Sequence, residues 1–263
     1  MWKKDPGKIK PEKAKKKMGF YKDQKGIMNR YLREGEAWDT HLQNSREFII
    51  QSSEGKDKNH VVVLGSGWLL DVPLKHLAEN FKKVTLVDII HPTQIRKKIQ
   101  KYSNVHLVEK DITGGVAYQI FQKIQHYKKT KEIPMLTAYK AEPIDFGDKP
   151  GFIISCNTLT QPGIIIKEYI RNFTEIPETS ILDLEKRIQE DQLNLLPPGK
   201  SCLITEYEEE IYGKNNDFIG TNPLLLISLP AEKNQRKWQW KFDKKFYYRE
   251  DAQTFMNVIA INF

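Results

Sequence analysis

The chain has 263 residues, a formal net charge of +8 at pH 7 and 39% hydrophobic residues. This length and apolar content are sufficient for one large α/β domain and exclude a wholly disordered chain. No apolar run approaches the ~20 residues of a membrane-spanning helix, and no apolar segment follows the first lysines as it would in a secretory signal. The two cysteines, Cys156 and Cys202, lie in separate apolar runs, so we expect buried free thiols and a cytoplasmic location.

The first 26 residues carry most of the net charge. Residues 1–25 hold ten lysines against three acidic residues, a net +7, so the rest of the chain is close to neutral. We expect residues 1–26 to form a basic, mobile, solvated tail. The alternative is that this tail binds the phosphates of a nucleic acid or another acidic partner.

A helical cap is predicted at residues 27–52, after the tail. Its large apolar residues recur at steps of four or seven and so share one face of a helix: Ile27, Tyr31, Trp38, Leu42 and Ile49. Trp38 is expected in the core, and a polar linker follows at residues 52–59. The remaining residues, 53–263, are predicted to form a single Rossmann-like domain.

Strand and helix patterns then alternate along the chain. Strands are predicted at residues 61–64, 83–89, 105–108, 151–157 and 201–207, and helices at 72–81, 92–102, 116–129 and 178–196. Such alternation is typical of an α/β fold with a doubly wound, mostly parallel sheet. Residues 237–242 and 255–263 leave little room for a helix between them, which predicts a C-terminal antiparallel strand pair beside the N-terminal helical extension.

The segment "HVVVLGSGWLLDVP", residues 60–73, places Gly65 and Gly67 where the first predicted strand ends. Glycines there let a ligand approach the main chain, although a tight packing turn is the plain alternative. Asp88 lies at the end of the second predicted strand and Asp111 follows the third, at equal intervals along the sequence. An acid at the second position can accept hydrogen bonds from a ribose diol, and one at the third from an adenine amino group. Each acid alone is also compatible with a helix cap, but the ordered series favours an adenosine-containing ligand.

Two cofactor classes compete for such a site. A dinucleotide site requires a third Gly or Ala where this chain has Leu70. Over residues 59–263 the sequence instead resembles the class I S-adenosylmethionine-dependent methyltransferases, through "VLGSGWLLDVP", "LVDI", "EKDI", "ISCNTLTQP" and the terminal strand pair. Val63 and Leu69 stand where that superfamily often has an acid and a third glycine, which leaves the subfamily open. The resemblance implies S-adenosylmethionine as the cofactor and these binding residues: Gly65, Ser66, Gly67, Asp88, Asp111, Ile112 and Asn157.

Methyl transfer requires alignment of a nucleophile and, in some reactions, a proton acceptor. The candidate catalytic residues are polar or titratable groups near predicted strand ends or in the cap: Asn157, Glu206, Tyr207 and His41. Thr158, Thr160 and Gln161 accompany Asn157, where a helix cap is the alternative interpretation. The six histidines are scattered and no Cys-x-x-Cys occurs, so no metal site is expected.

The sequence therefore favours methyl transfer from S-adenosylmethionine to an unidentified acceptor. A small-molecule acceptor is preferred, because the folded body is not basic. The alternatives are a nucleic-acid methyltransferase anchored by the basic tail, and a catalytically silent binding protein of the same fold. A nicotinamide oxidoreductase is least favoured, because of Leu70 and the terminal strand pair.

Overall fold

The computed structural model describes residues 11–147, 149–173, 175–230 and 235–263. Within these ranges lie eight α-helices: α1 (Pro11–Met18), α2 (Phe20–Glu34), α3 (Asp39–Ser53), α4 (Leu74–Asn80), α5 (Thr93–Ile99), α6 (Val116–Thr130), α7 (Gln161–Ile170) and α8 (Glu178–Leu193). A 3₁₀ helix, Gly35–Trp38, joins α2 to α3. The same ranges contain eight strands: β1 (His60–Leu64), β2 (Lys83–Asp88), β3 (Val105–Glu109), β4 (Phe152–Cys156), β5 (Ser201–Gly213), β6 (Phe218–Pro223), β7 (Gln235–Asp243) and β8 (Ala252–Asn262).

The strands form one sheet in the order β3-β2-β1-β4-β5-β8-β7, with β6 paired to the outer part of β5. Strands β3, β2, β1, β4 and β5 are parallel to one another, whereas β8 is antiparallel to both β5 and β7, and β6 is antiparallel to β5. The expected fold class is therefore confirmed, including the C-terminal antiparallel strands. Because the order reverses on either side of β1, the carboxyl ends of β1 and β4 border a crevice suited to ligands.

Both faces of the sheet are covered, which explains why β1 is apolar at every position after His60. Val61 and Val63 pack in one cluster with residues of α3 and α4, whereas Val62 and Leu64 pack in another on the opposite face. All four side chains are almost completely buried. Burial of an aliphatic side chain of this kind contributes about 1.5–3 kcal/mol, so β1 is a rigid base for the turn that follows it.

The N-terminal segment differs from the expected organisation. Helix α1 and the first half of α2 lie within the stretch predicted as a solvated tail, and Ala14, Met18 and Phe20 are buried in a cluster with α6 and α7. Ala14 and Met18 are four residues apart, so they share a helix face even though lysines surround them. The first ten residues lie outside the described ranges, and the mobility of the tail stays a prediction.

The C-terminal half differs from the expected elements in extent. Strand β5 continues to Gly213, beyond the predicted end at residue 207, and pairs there with β6 (Phe218–Pro223), which was not predicted. The sequence of β6, FIGTNP, is mostly exposed and does not alternate in polarity, so it lacks the usual strand pattern. The cysteines Cys156 and Cys202 are buried and free, as expected. No helix in the described parts of the chain is long and apolar enough to cross a membrane.

Candidate functional site

A pocket lies at the carboxyl ends of β1, β2 and β4, beneath helices α2 and α3. Its volume is about 990 Å³, counted with the solvent at its mouth. Its walls include seven residues that the sequence identified as cofactor-binding candidates: Gly65, Ser66, Gly67, Asp88, Asp111, Ile112 and Asn157. The fold therefore brings together side chains from four separate strand ends.

The glycine turn brings bare main chain to the pocket. Gly65 has φ +76°, and a Cβ there would lie 1.9 Å from Thr158 Cγ2 and 2.6 Å from the Cys156 carbonyl oxygen. No side chain fits at that position without displacing the end of β4. Gly67, with φ +38°, faces Asp88, and a Cβ there would lie 3.6 Å from Asp88 Oδ2. Both glycines line the pocket, and close packing against the end of β4 in addition requires a glycine at position 65.

Asp88 is anchored to the glycine turn. The Gly67 backbone N–H donates to Asp88 Oδ2 at 2.7 Å, and Ile90 N lies 3.4 Å from Oδ1. Burial raises the pKa of Asp88 to about 6, partly opposed by these backbone hydrogen bonds. At pH 7 the side chain is mostly ionised, so it can accept hydrogen bonds from hydroxyl groups in the pocket.

Asp111 both shapes its own turn and faces the pocket. Its Oδ1 accepts hydrogen bonds from the Thr113 N–H at 2.9 Å and the Thr113 hydroxyl at 2.6 Å, the arrangement of an Asx turn. Burial raises the pKa of Asp111. Both bonds are made to Oδ1, so Oδ2 takes no part in them. Ile112, next in the chain, is buried and contributes an apolar wall.

Asn157 and Asp71 form a second polar pair on the other side of the glycine turn. Asn157 has φ +51°, a conformation that asparagine tolerates better than most residues. Its Nδ2 donates to Asp71 Oδ2 at 2.7 Å, and burial raises the pKa of Asp71. The Asn157 Oδ1 atom is buried and has no hydrogen-bond partner in the described ranges. Such an atom is costly to bury without a partner, and Asn157 lines the pocket. Sequence reasoning missed Asp71, although it stands within the motif "WLLDVP".

His41, on α3, lines the same pocket and is almost fully buried. Its Nδ1 lies 3.1 Å from the indole Nε1 of Trp238. An indole N–H can only donate, so Nδ1 is the acceptor and the ring proton of the neutral imidazole lies on Nε2. Burial lowers the pKa of His41 to about 3, which keeps the ring neutral near pH 7. The ring stacks on Trp240, with centroids 4.0 Å apart and planes 7° apart.

Helix α2 and the 3₁₀ helix cover the pocket. Phe20, Gln24 and Trp38 are among its lining residues, and the first two lie in the stretch predicted as a tail. The Trp68 indole N–H donates to the Gln24 carbonyl oxygen at 2.7 Å, and Gln24 Nε2 donates to the Ile90 carbonyl oxygen at 2.7 Å. At the other end, the Trp38 indole donates to the Phe242 carbonyl oxygen at 3.0 Å. The cover is therefore tied to the glycine turn, to the end of β2 and to β7.

Two of the candidate catalytic residues lie outside the pocket. Glu206 is buried behind it, with Oε2 3.4 Å from the Thr160 hydroxyl, and burial raises its pKa to about 7. Tyr207 is half-buried and packs against the cluster that contains Val62 and Leu64, and Lys237 Nζ lies 5.3 Å from its ring centroid. Both lie at the predicted end of β5, but β5 continues as a strand to Gly213, and neither side chain lines the pocket. By contrast, Thr158 and Gln161 do line it.

No group of three or more His, Cys, Asp or Glu side chains in the described parts of the chain is arranged to hold a metal ion.

Comparisons with known proteins give structural neighbours only. No family model and no curated protein matches the chain. The N-methyltransferase NodS from Bradyrhizobium japonicum WM9, in complex with S-adenosyl-l-homocysteine, is 13% identical, with 90% of this chain and 97% of that one covered and a TM-score of 0.39. The 1,6-didemethyltoxoflavin-N1-methyltransferase from Burkholderia thailandensis is 10% identical, with 99% and 94% covered and a TM-score of 0.41. The 23S rRNA methyltransferase ErmE is 11% identical, with 84% and 68% covered and a TM-score of 0.31. At this degree of similarity the function has to be inferred from the geometry of the pocket.

Proposed function

We propose that this protein transfers a methyl group from S-adenosylmethionine to a small-molecule acceptor. The observation that carries the proposal is that Asp88, Asp111 and the Gly65–Gly67 turn, each at the end of a different parallel strand, line one pocket. A phosphate-free adenosine ligand suits this arrangement better than a dinucleotide, because carboxylates rather than cations surround the turn.

The donor and acceptor groups of the pocket fit this cofactor. The Asp88 carboxylate would accept from the ribose diol, while Asp111 and Ile112 would border the adenine. Asp71 and the unpartnered Asn157 Oδ1 would receive the ammonium group of the methionine end. When bound, the cofactor supplies a methyl group already activated on a sulfonium sulfur. The task left to the chain is to hold the acceptor in line and to exclude water.

An aromatic cover favours a small acceptor. Phe20, Trp38, Trp68 and Trp240 line the pocket from above and from the β7 side, and most drug-sized ligands bind in sites with such walls. His41 has its acceptor nitrogen engaged by Trp238, so its role is to donate a hydrogen bond rather than to remove a proton. Thr158 and Gln161 are the polar groups at the end of β4 that are placed to orient an acceptor.

Calorimetric titration with S-adenosylhomocysteine, NAD and NADP tests the cofactor class before an acceptor is known. We expect S-adenosylhomocysteine to bind and the two dinucleotides not to bind. Binding of NAD alone would overturn the proposal. Turnover of S-adenosylmethionine to S-adenosylhomocysteine with a panel of acceptors then separates an active enzyme from a silent binding protein of the same fold.

A nucleic-acid acceptor is the second candidate, and it has one structural observation in its favour. Helix α2, which covers the pocket, and the preceding helix α1 carry exposed lysines: Lys13, Lys16, Lys17, Lys22 and Lys25. A variant with all five replaced by glutamine should lose RNA binding, and the wild-type affinity should fall steeply with salt, if these lysines contact phosphates. Unchanged S-adenosylhomocysteine binding is the control, because none of the five lines the pocket. The buried free thiols Cys156 and Cys202 support the proposed cytoplasmic location.

A further inference from the structure

Two stacked rings in the pocket each carry a buried N–H group that has no hydrogen-bond partner in the described ranges. These groups are His41 Nε2 and Trp240 Nε1. The rings lie face to face with centroids 4.0 Å apart, and both residues line the pocket. Buried N–H groups in native proteins are nearly always paired, so two orphans on adjacent rings indicate a missing partner.

The direction of these hydrogen bonds is fixed by the neighbours. Trp238 donates to His41 Nδ1, which places the proton of the neutral ring on Nε2. The indole nitrogen of Trp240 can only donate. The missing partner must therefore be an acceptor, and a carboxylate offers two acceptor oxygens to two donors.

We propose that His41 Nε2–H and Trp240 Nε1–H form a binding site for a carboxylate of the molecule held in the pocket. This inference rests on the proposed function. The neighbouring Asp71 and Asn157 Oδ1 are acceptors suited to an ammonium group. Acceptors beside donors in one pocket match the amino and carboxylate groups of an α-amino acid, as at the methionine end of S-adenosylmethionine. The other source of a carboxylate is an acidic aromatic methyl acceptor.

The first experiment compares S-adenosylhomocysteine with its decarboxylated analogue, in which hydrogen replaces the α-carboxylate, by calorimetry. In the wild-type protein we expect the carboxylate to increase affinity at least about tenfold, the scale of hydrogen bonds to a charged group. His41→Phe and Trp240→Phe keep the aromatic stack and remove one N–H each. Each variant should lose most of this discrimination, and the double variant should bind the two ligands equally.

Trp68→Phe is the matched control. Trp68 lines the same pocket, but its N–H already donates to the Gln24 carbonyl oxygen, so its loss should change the affinity for both ligands by the same factor. Trp238→Phe removes the N–H group that fixes the His41 tautomer. The ratio of its affinities for the two ligands should lie between the ratio of the wild type and that of His41→Phe. If His41→Phe does not fold, as judged by thermal unfolding, Trp240→Phe carries the test alone.

A second experiment identifies the source of the carboxylate. The protein saturated with S-adenosylhomocysteine is titrated with benzoate and with benzamide, its neutral counterpart. If the first experiment shows no effect of the variants, but benzoate binds more tightly than benzamide and loses this preference in both variants, the acceptor supplies the carboxylate. If neither experiment shows a carboxylate effect that depends on His41 or Trp240, the inference is wrong. Failure of the wild-type protein to bind S-adenosylhomocysteine would instead reject the proposed function.

Discussion

Gly67 and Asp88 are joined across the floor of the pocket by a hydrogen bond of 2.7 Å from the backbone N–H to Oδ2. This bond links the end of β1 to the end of β2, two strands that are parallel neighbours in the sheet. It fixes one carboxylate oxygen against the glycine turn, while Ile90 N lies 3.4 Å from the other oxygen, Oδ1. The acid is thereby oriented before any ligand arrives, which lowers the entropic penalty of binding.

Replacement of Asp88 by alanine should weaken S-adenosylhomocysteine binding by about 1–3 kcal/mol, because the ligand's hydroxyl groups would lose their acceptor in a buried setting. Calorimetric titration measures the change directly. Glu109→Gln is the control, since Glu109 pairs with Asp88 in the sheet register but bonds to His91 and Arg96 and does not line the pocket. Equal affinities of wild type and Asp88→Ala would remove this residue from the site.

The raised pKa of Asp88 predicts a pH-dependent affinity. Its pKa is about 6, chiefly because of burial, and Asp23 on α2 raises it further. The carboxylate is mostly ionised at pH 7.5 and mostly protonated at pH 5, so the affinity for S-adenosylhomocysteine should fall by up to about tenfold between them. In Asp88→Asn the side chain cannot ionise, and the affinity should be weaker but much less dependent on pH. The same steep dependence in that variant would assign the titration to another group, such as Asp23.

Gly65→Ala should destabilise the protein by several times the usual strain of a left-handed alanine. The new Cβ would overlap Thr158 Cγ2 and the Cys156 carbonyl oxygen, in addition to a strain of about 1 kcal/mol at positive φ. Gly115→Ala is the matched control, because Gly115 has φ +86° but nothing within 4 Å of a Cβ. The free energy of unfolding from urea titration should fall by about 1 kcal/mol in the control and by clearly more in Gly65→Ala. Similar decreases in the free energy of unfolding in both variants would show that the end of β4 moves at little cost to accommodate the new Cβ.

Leu69 adopts φ +53°, a conformation that glycine takes without strain. It is also buried in the core cluster with Val61 and Val63. Leu69→Gly should relieve about 1–2 kcal/mol of backbone strain but lose about 2–5 kcal/mol of side-chain packing. We therefore expect a net loss of stability in urea titration. A variant more stable than the wild type would show that strain outweighs packing at this turn.

The sequence predicts the strand ends well, because β1 and β4 are buried on both faces and each contains an unbroken apolar run, at residues 61–64 and 152–154. Asp88 and Asp111 could be placed at one edge of the sheet, because parallel strands all end on the same side. The position of Leu69 shows a limit of this approach. The resemblance predicts a glycine at this position. The chain has a leucine, yet its backbone adopts the conformation that a glycine would take, which only the tertiary structure reveals.

The polar pair Asp71–Asn157 and the donors His41 and Trp240 were harder to predict. Asp71 lies in a loop, so no strand pattern places it. Trp240 is buried on β7, but burial says nothing about its unpartnered N–H. These features depend on how α3 and β7 pack, which is set by contacts between segments far apart in the sequence.

The cover of the pocket has a consequence for synthesis of the protein. The hydrogen bond from the Trp38 indole to the Phe242 carbonyl oxygen spans 204 positions of the chain, and the Trp238–His41 contact spans 197. On the ribosome, helices α2 and α3 are synthesised long before β7. Their aromatic side chains therefore cannot yet pack against β7, and the nascent chain is a partly folded intermediate. Nascent chains stalled before residue 235 should therefore need chaperone protection and lack ligand affinity, even with the whole glycine turn already translated.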